Sequence, residues 1–190
     1  MQALYGGAFD PPHRGHVELA RRAKEELGVD RLLVLVSARP GHKRVETPAA
    51  VRLRLARAAF PDDEVVVDPH PRTIETLRAH PEWDDPVLVL GADEFCDFPS
   101  WVEPDEVLRR ARLAVGTRPG FPSRRLEETL ARLAHPERVT FFAIEPTPVA
   151  SSELRARLAA GADVSDDVPS ASAAIIAAER LYRRRYTQTA

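Results

Sequence analysis

The residues of this sequence that are best suited to chemistry lie in the stretch YGGAFDPPHRGHVELA, residues 5–20. It begins with adjacent glycines, Gly6 and Gly7, and continues to two histidines, His13 and His16. Glycines lack a Cβ atom, so they let a ligand approach the backbone closely and permit unusual dihedral angles. Two imidazoles beside the N-terminus of a helix, where amide donors and the positive dipole end face outward, can hold phosphate oxygens. The segment therefore predicts a phosphate-binding turn.

Other interpretations of this segment stay open when each of its parts is taken alone. Glycine pairs often only form turns, and a histidine near a helix start is often only a cap. The segment lacks the Gly-Lys-Ser/Thr end of a P-loop and the GxGxxG pattern of a dinucleotide-binding turn. A zinc site needs a third and usually a fourth ligand, which these residues do not supply. The phosphate-binding interpretation is favoured because all the parts occur together and in order.

A second candidate segment for phosphate binding, ASSELRARL, begins at Ala150. Ser151 and Ser152 are expected to cap the helix that they precede, which leaves free amides for an anion. Arg155 lies about one helical turn further along, where its guanidinium fork can reach the same phosphates. Taken alone, the segment is more typical of an ordinary capped helix. Its combination with the first segment is what favours a ligand site.

Short apolar strands that alternate with amphipathic helices must position both segments. Apolar runs predict strands at 1–5, 31–37, 64–68, 86–91, 113–117 and 139–144. The first helix is expected to end before Gly28. A second helix is expected to be capped by Thr47, to begin at Pro48 and to run through Phe60. Further helices are predicted near 73–80, 104–111, 123–134, 151–160 and 170–184. This alternation implies right-handed crossovers between parallel strands. We predict an α/β fold with a doubly wound, Rossmann-like, mostly parallel sheet, helices on both faces, and ligands beyond the carboxyl ends of the strands.

The composition favours one domain, 1–190, because 190 residues with 44% hydrophobic content can bury one sizeable core. The formal net charge of -2 gives no overall field to attract nucleic acid. Cys96 is the single cysteine and cannot form an internal disulfide, which fits the cytoplasm. The sequence shows neither a signal-peptide pattern nor an apolar run of membrane-spanning length. We therefore expect no nucleic-acid or membrane partner, and a homo-oligomer stays open.

The first segment, GGAFDPPHRGH, resembles the GGTFDPxHxGH signature of the nucleotidyltransferase superfamily that carries the HxGH motif. The resemblance implies transfer of a nucleotidyl group with loss of pyrophosphate. VASSELR resembles the distal ISSTxIR motif of the same superfamily, with Ala150 at its first serine and Ser152 at its threonine. The hydroxyl at Ser152 is kept, and the one at Ala150 is lost.

Further segments are similar to bacterial nicotinate-nucleotide adenylyltransferases over nearly the whole chain. GHK at Gly41–Lys43 resembles the end of their PPHK loop, RTIETL from Arg72 resembles YTxxTL, and GADEFCDFPSWVE from Gly91 resembles GxDxxxxFxxW. TRPGFP and VPSASAAIIAAERLY resemble RPGY and VPxxVxxYIxxxxLY. The resemblance implies that the chain joins ATP and nicotinate mononucleotide to make deamido-NAD and pyrophosphate.

The resemblance also implies a role for particular residues. The expected ligands of the ATP phosphates are His13, His16, Lys43 and Arg155. The expected lining of the nucleotide pocket is Gly6, Gly7, Phe9, Gly91, Asp93 and Ser151, with the C-terminal helices, about 151–185, completing the ATP site. The expected contacts of nicotinate mononucleotide are Thr73, Trp101 and Arg72. Magnesium is expected to bind mainly through ATP phosphates, so no residue is assigned to a metal.

The chemistry fits residues of these types, because the mononucleotide phosphate can itself attack the α-phosphorus of ATP. The protein then has to align the reactants and stabilise charge, for which cationic side chains suffice. Trp101 could instead be packing, Asp93 a helix cap and Lys43 a solvated loop charge. The histidines without a motif are interpreted as surface or turn residues: His42, His70, His80 and His135.

The sequence departs from the family pattern at a few positions. Ala8 occupies the usual threonine position, and the lysine loop reads RPGHK instead of PPHK. Arg72 stands where the family often has tyrosine, and a guanidinium there could stack on a ring or pair with a carboxylate. We hypothesise that Arg72 strengthens the preference for nicotinate over nicotinamide mononucleotide. An exposed arginine at a helix start is at least as good an interpretation.

Three other functions are alternatives to the adenylyltransferase prediction. A phosphopantetheine adenylyltransferase or a cytidylyltransferase would share the HxGH motif, but these families are usually shorter and lack the FPSW and TRPG segments. A nucleotide-binding regulator without turnover is disfavoured because His13, His16 and Arg155 are all present. A dehydrogenase is disfavoured because its glycine fingerprint is missing.

Overall fold

A computed structural model describes residues 1–41, 45 and 47–183. In this part of the chain six strands form one all-parallel sheet: β1 (Ala3–Gly7), β2 (Leu33–Ser37), β3 (Glu64–Asp68), β4 (Val87–Gly91), β5 (Arg112–Thr117) and β6 (Val139–Ala143). Their order across the sheet is β3-β2-β1-β4-β5-β6. The apolar runs form these strands because strands covered on both faces carry continuous Val, Ile and Leu. The predicted Rossmann-like fold is confirmed, and the sheet is wholly parallel within the described residues.

Eight α-helices are present in the described residues: α1 (Arg14–Leu27), α2 (Ala49–Ala59), α3 (Thr73–Ala79), α4 (Ala92–Asp97), α5 (Pro104–Arg110), α6 (Ser123–Leu130), α7 (Ser151–Ala159) and α8 (Ser170–Glu179). Short 3-10 turns occupy Phe98–Ser100 and Pro136–Arg138. The sequence did not predict α4, because six residues are too few to show a helical period. None of these described helices is long and apolar enough to cross a membrane.

The helices cover both faces of the sheet, as the alternation along β4 shows. Val89 belongs to a core shared with α1 and α2, whereas Leu88 belongs to a core shared with α3, α4 and α5. Successive strand residues point to opposite faces, so one strand serves two cores. A third apolar cluster joins Leu55 of α2 to Leu154 of α7 and Ile176 of α8. The C-terminal helices are thus fastened to the body of the molecule through α2.

Three predicted boundaries are wrong in detail. Gly6 and Gly7 lie inside β1, where Gly7 pairs with Val36 of β2, instead of following the strand. Pro48 is the N-cap of α2, so Thr47 does not cap this helix. The last helix ends at Glu179 rather than near 184, because Arg180 adopts a left-handed conformation with φ of 52°.

The strand order reverses beside β1, which lies between β2 and β4. The chain leaves β1 toward one side of the sheet and leaves β4 toward the other, so a crevice opens at their carboxyl ends. Gly7 ends β1 and Gly91 ends β4. The first predicted segment therefore lies at the place where an open parallel sheet binds its ligands.

Candidate active site

The two glycines at the end of β1 have different surroundings. A Cβ atom added at Gly6 would meet no heavy atom within 4 Å, so its backbone faces open space. A Cβ atom at Gly7 would lie 2.7 Å from Cζ of Phe9. Gly6 therefore fits the predicted close approach of a ligand. At Gly7 the space that a side chain would need is taken by the Phe9 ring, so packing also requires a glycine there, and its predicted role in the nucleotide pocket stays a prediction.

The buried ring of Phe9 packs against His16. Phe9 is 1% exposed and has a φ of 51°, and its ring contacts His16 at a centroid distance of 5.1 Å. The His13 and His16 rings stack at 3.6 Å. The His13 backbone N–H donates to Nδ1 of His16 at 3.1 Å, so this nitrogen carries no proton and Nε2 of the neutral ring does. His16 can therefore offer an Nε2–H donor.

His13 is the N-cap of α1, and its imidazole is neutral at pH 7. Burial lowers its pKa to about 4, and the nearby charge of Asp167 only partly opposes this shift. The carbonyl of Asp167 also accepts the backbone N–H of Arg14 at 2.8 Å, at the start of α1. The start of α1 therefore presents two stacked imidazoles, and that of His13 is neutral near pH 7.

The second predicted segment meets the first, although about 140 residues separate them. Arg155 donates through Nη1 to the carbonyl of Asp10 at 2.7 Å, and Ser151 donates through its hydroxyl to the carbonyl of Pro11 at 2.9 Å. Ala150 is the N-cap of α7, so the expectation that Ser151 caps its own helix is corrected. Its hydroxyl is used on the loop after β1 instead.

A buried arginine beneath this loop was missed by sequence reasoning. Arg52 of α2 is 1% exposed and donates to the carbonyls of Ala8 at 2.7 Å, Ser37 at 2.8 Å and Thr47 at 2.9 Å. Arg52 also reaches the Ala38 carbonyl at 3.3 Å. Its sequence signal is an arginine on the apolar face of a helix, a position that is easily taken for a surface charge.

Asp10 is the buried carboxylate of the same loop. It is 1% exposed, and its Oδ1 accepts the hydroxyl of Tyr182 at 2.7 Å. Burial is the main cause of a raised pKa of Tyr182, so its phenol stays protonated as the donor. The C-terminal part of the chain therefore reaches the first segment through Tyr182, Arg155 and Ser151.

Two adjoining cavities open at the carboxyl ends of β1 and β4. One, of about 680 Å³, is the histidine cavity, and the predicted residues in its wall are Gly6, Gly7, Phe9, His13, His16, Gly91, Asp93, Ser151 and Arg155. The other, of about 520 Å³, is the Trp101 cavity, and the predicted residues in its wall are Gly6, Gly7, Arg72, Thr73 and Trp101. Six residues line both: Gly6, Gly7, Ala8, Val89, Leu90 and Glu94. The structure thus brings the predicted site residues that it describes to two connected cavities.

The outer rim of the histidine cavity carries charged side chains, among them Asp93, whose role the sequence did not decide. Asp93 lies in the first turn of α4, and its carboxylate is paired with Arg118 at 3.7 Å and Arg125 at 3.5 Å. Arg118 lines the cavity directly and was missed, although TRPG follows the carboxyl end of β5. Asp93 therefore lies at a mixed-charge rim on the surface.

The polar wall of the Trp101 cavity includes His70, which was predicted to be a surface or turn residue. Asp68 accepts the backbone N–H of His70 at 3.0 Å, contacts its Nδ1 at 2.9 Å, and accepts the hydroxyl of Thr76 at 2.7 Å. All three residues line the cavity. The available signal was that Asp68 ends a buried strand at the ligand-binding edge of the sheet.

Arg72 and Trp101 line the same cavity from different elements, Arg72 at the start of α3 and Trp101 after the 3-10 turn Phe98–Ser100. Arg72 is the N-cap of α3, and its Nη1 occupies the space that a side chain at Gly41 would need. The indole of Trp101 packs on Phe98 at a centroid distance of 5.1 Å and also faces the cavity. The predicted phosphate ligand Lys43 lies outside the described residues.

Among residues 1–41, 45 and 47–183, no three His, Cys, Asp or Glu side chains gather in a geometry that could hold a metal ion. The carboxylate of the loop before the histidines, Asp10, is buried and bonded to Tyr182. This donor set fits an ion that keeps its waters and takes most of its other ligands from a bound substrate, as magnesium does.

Comparisons with known proteins find relatives along nearly the whole chain. A family model described as "Cytidylyltransferase-like" matches residues 4–157. A protein of Thermus thermophilus named "Probable nicotinate-nucleotide adenylyltransferase" is 35% identical over 192 residues, covering 95% of this chain and 98% of its own. A protein of Bordetella petrii with the same name is 33% identical over 190 residues, covering 95% and 97%.

A solved structure shares the fold. Plasmodium falciparum nicotinic acid mononucleotide adenylyltransferase complexed with NaAD has a TM-score of 0.73 and 18% identity, covering 95% of this chain and 96% of that one. The same protein complexed with APC gives a TM-score of 0.70 at the same identity and coverage. These likenesses support the Rossmann-like architecture over the length of the chain.

Proposed function

The chain belongs to the cytidylyltransferase-like family and, with its curated relatives, to the nicotinate-nucleotide adenylyltransferases, and from this premise we propose its reaction. It joins ATP and nicotinate mononucleotide to give deamido-NAD and pyrophosphate, a step of NAD biosynthesis. The observation that carries the proposal is the pair of cavities that meet at Gly6, Gly7 and Ala8, beside His13 and His16. Two cavities that share one wall suit two substrates that react with each other.

The reaction is an in-line displacement. An oxygen of the mononucleotide phosphate forms a bond to the α-phosphorus of ATP, and the bond from that phosphorus to the oxygen it shares with the β-phosphorus breaks. Pyrophosphate leaves with the electron pair, and the attacking phosphate oxygen needs no protein base. The protein has to hold the two phosphates in line and to stabilise the charge that builds on the leaving group.

The histidine cavity is assigned to ATP. His16 donates through Nε2 to the triphosphate, His13 donates beside it at the start of α1, and Arg155 lies within reach of the same oxygens. Gly6 lets the nucleotide approach the backbone, and Phe9 holds the histidines in position. Gly91, Asp93 and Ser151 line the nucleotide pocket. Lys43 is assigned to the phosphates from its place in the sequence alone.

The Trp101 cavity is assigned to nicotinate mononucleotide. Trp101 offers an aromatic face for the pyridine ring, and Thr73 offers a hydroxyl and a backbone N–H at the start of α3. Arg72 faces the same cavity and provides the positive charge that would favour a carboxylate over a carboxamide. These assignments rest on the lining of the cavity and on the family resemblance.

Magnesium, bound mainly through ATP phosphates, is the proposed cofactor. When bound, it neutralises part of the triphosphate charge and supports departure of pyrophosphate. The side chains of this chain orient the phosphates around it and exclude water.

We assign the described helices of the region 151–185 to completion of the ATP site, within one domain that spans 1–190. Support comes from the bonds of Ser151 to Pro11 and of Arg155 to Asp10. The cytoplasm is the proposed location, because the single cysteine Cys96 suits a reducing compartment.

Pyrophosphate release tests the function. Purified protein with magnesium is given ATP and one of three acceptors: nicotinate mononucleotide, nicotinamide mononucleotide or phosphopantetheine. We expect fastest turnover with nicotinate mononucleotide, and a decrease in kcat of about 100-fold or more in His16→Ala, since one lost donor to a developing charge costs about 3 kcal/mol. Turnover with phosphopantetheine alone, or only when CTP replaces ATP, would overturn the substrate assignment and keep the chemistry. Tight ATP binding without turnover would favour a regulator.

Two variants separate catalysis from folding in this assay. His16→Asn keeps a side-chain acceptor near the position of Nδ1, so the bond from the His13 backbone N–H can form, but it removes Nε2. It should be as slow as His16→Ala and more stable. His135→Ala changes a histidine that lies outside both cavities and contacts Glu137 at 3.1 Å, so its turnover should match the unchanged protein.

A further inference from the structure

We infer that Arg52 is a positioning residue for the proposed adenylyl transfer, and this inference rests on the proposed function. Its side chain binds the loop after β1, which carries His13, and it also binds both ends of the connection between β2 and α2. Arg52 reaches no cavity wall, so it acts through the backbone of residues that do.

The contacts of Arg52 converge from three parts of the chain. Nη1 binds the Ala8 carbonyl at 2.7 Å and the Ser37 carbonyl at 2.8 Å, and Nε binds the Thr47 carbonyl at 2.9 Å. Nη2 adds the Ala38 carbonyl at 3.3 Å. The planar guanidinium presents its N–H groups in fixed directions, so it fixes the relative positions of these carbonyls. A lysine has a single mobile ammonium group and cannot reproduce this arrangement.

These carbonyls belong to segments that hold substrates in the proposed function. Ala8 lines both cavities and precedes Phe9, whose ring supports His16. Ser37 lines the Trp101 cavity. Movement at Ala8 would therefore tilt Phe9 and His16 together, and movement at Ser37 would change the adjoining cavity. One guanidinium thus sets the distance between the two substrate sites.

The burial of Arg52 argues that this arrangement serves more than stability. The side chain is 1% exposed, and its hydrogen-bond partners among the described residues are neutral carbonyls. Burial lowers the pKa of Arg52, and the negative charge of Asp10 opposes that shift. A buried cation is costly, and an apolar residue would fill the same volume more cheaply. The presence of a charged arginine at position 52 is explained if the reaction requires the geometry of the loops that it binds.

The test compares Arg52→Lys and Arg52→Met with Arg54→Met. Arg54 lies two residues further along α2, is about half exposed and pairs with Glu179 on the surface. Each variant is assayed for pyrophosphate release, and binding of ATP alone is measured by calorimetry. All measurements are made well below the melting temperature of the least stable variant, so that only folded protein is compared.

We expect Arg52→Lys to fold and to lose about tenfold or more in kcat/KM for adenylyl transfer, because misplacement of reacting groups by about 1 Å can cost about 100-fold. ATP binding should weaken about tenfold. Arg52→Met should lose at least as much activity, and Arg54→Met should match the unchanged protein in both activity and ATP binding. If Arg52→Met does not fold, the lysine variant still decides the question.

A merely structural role predicts a different result. Arg52→Lys would then melt at a lower temperature but would keep its kcat, its KM and its affinity for ATP when folded, and the inference would be wrong. Failure of the proposed function is recognised separately, because the unchanged protein would then release no pyrophosphate with any acceptor. In that case a loss of ATP affinity in Arg52→Lys would still support positioning of the loop, and an unchanged affinity would overturn it.

Discussion

The histidine cavity and the Trp101 cavity share a wall but are built in different ways. The histidine cavity rests on buried rings: Phe9 is 1% exposed and contacts His16, and His16 stacks on His13. The Trp101 cavity is lined by polar side chains nearer the surface, among them His70, whose side chain is 30% exposed, and the exposed Arg72. The histidines thus rest on packed rings, whereas the polar wall of the Trp101 cavity is held by the hydrogen bonds of Asp68 to His70 and Thr76.

The difference matches the demands of the two proposed substrates. A triphosphate needs donors at fixed distances, and a packed base holds donors in place without reorganisation. A pyridine ring with one substituent needs an aromatic face and a small set of polar contacts. We therefore expect changes in the histidine cavity to alter stability and turnover together, and changes in the Trp101 cavity to alter mainly the choice of acceptor.

The pH dependence of stability is the largest expected difference. Burial lowers the pKa of His13 from 6.5 to about 4, so the unfolded chain binds a proton below pH 6.5 that the folded protein refuses. The contribution of His13 to the free energy of unfolding is full above pH 6.5 and is lost as the pH falls toward 4. The loss reaches about 3 kcal/mol at most, since one pKa unit corresponds to about 1.4 kcal/mol.

Urea unfolding of the protein and of His13→Gln between pH 7 and pH 4 measures this contribution. The two free energies of unfolding should approach each other as the pH falls, because only the unchanged protein loses the His13 term. His135→Gln makes the same change at a histidine outside both cavities and is the matched control. Parallel curves for the unchanged protein and His13→Gln would mean that His13 titrates normally in the folded state.

The neighbouring glycines of β1 give the next largest contrast. In Gly7→Ala the new methyl group would lie 2.7 Å from the buried Phe9 ring, so either the ring or the strand must shift. Overpacking of this kind costs about 2 kcal/mol. In Gly6→Ala the methyl group enters open space, so the melting temperature should barely change while the KM for ATP or for the mononucleotide rises.

Thermal melts and steady-state kinetics of the two variants measure this contrast. A stable Gly7→Ala with normal turnover would show that Phe9 is free to move and would remove the packing explanation of Gly7. A Gly6→Ala with unchanged KM for both substrates would show that no ligand approaches Gly6.

The residues of the histidine cavity could be predicted to lie together because their motif is local. Gly6, Gly7, His13 and His16 lie within eleven residues, and the strand and helix around them follow from apolar periodicity. The fold was predictable for the same reason, since strands of five or six residues alternate with amphipathic helices. Local spacing carries enough information when the parts of a site are neighbours along the chain.

The parts that the sequence did not reveal are made by distant residues. Arg52, Asp10 and Tyr182 meet only after α2 and the C-terminal helices have packed, so no spacing along the chain marks them. His70 joins the Trp101 cavity because Asp68 ends a strand beside it. The helix α4 was also missed, because six residues are too few for a periodic pattern. Side chains that bind backbone carbonyls leave no motif of their own.

A matched pair of hydroxyl deletions gives the smallest and sharpest comparison. Tyr182 donates to Asp10 beneath the histidine cavity, and Thr76 donates to Asp68 in the wall of the Trp101 cavity, each at 2.7 Å. Asp10 is 1% exposed, whereas the side chain of Asp68 is 13% exposed and also contacts His70. A carboxylate that loses a donor suffers more where solvent cannot replace it. Tyr182→Phe should therefore cost about 2 kcal/mol and Thr76→Val about 1 kcal/mol.

Chemical denaturation of both variants at pH 7 measures the difference, and kinetics on the same samples separates the two regions. Tyr182→Phe should also slow turnover, because the loop that carries His13 loses one of its ties. Thr76→Val should leave kcat with nicotinate mononucleotide nearly unchanged, because Asp68 keeps its contacts with His70. It should raise the KM of that acceptor, because Thr76 and Asp68 line the cavity assigned to it. Equal costs and equal kinetics would mean that the two carboxylates have similar access to solvent, and the contrast between a packed and an accessible cavity would not hold.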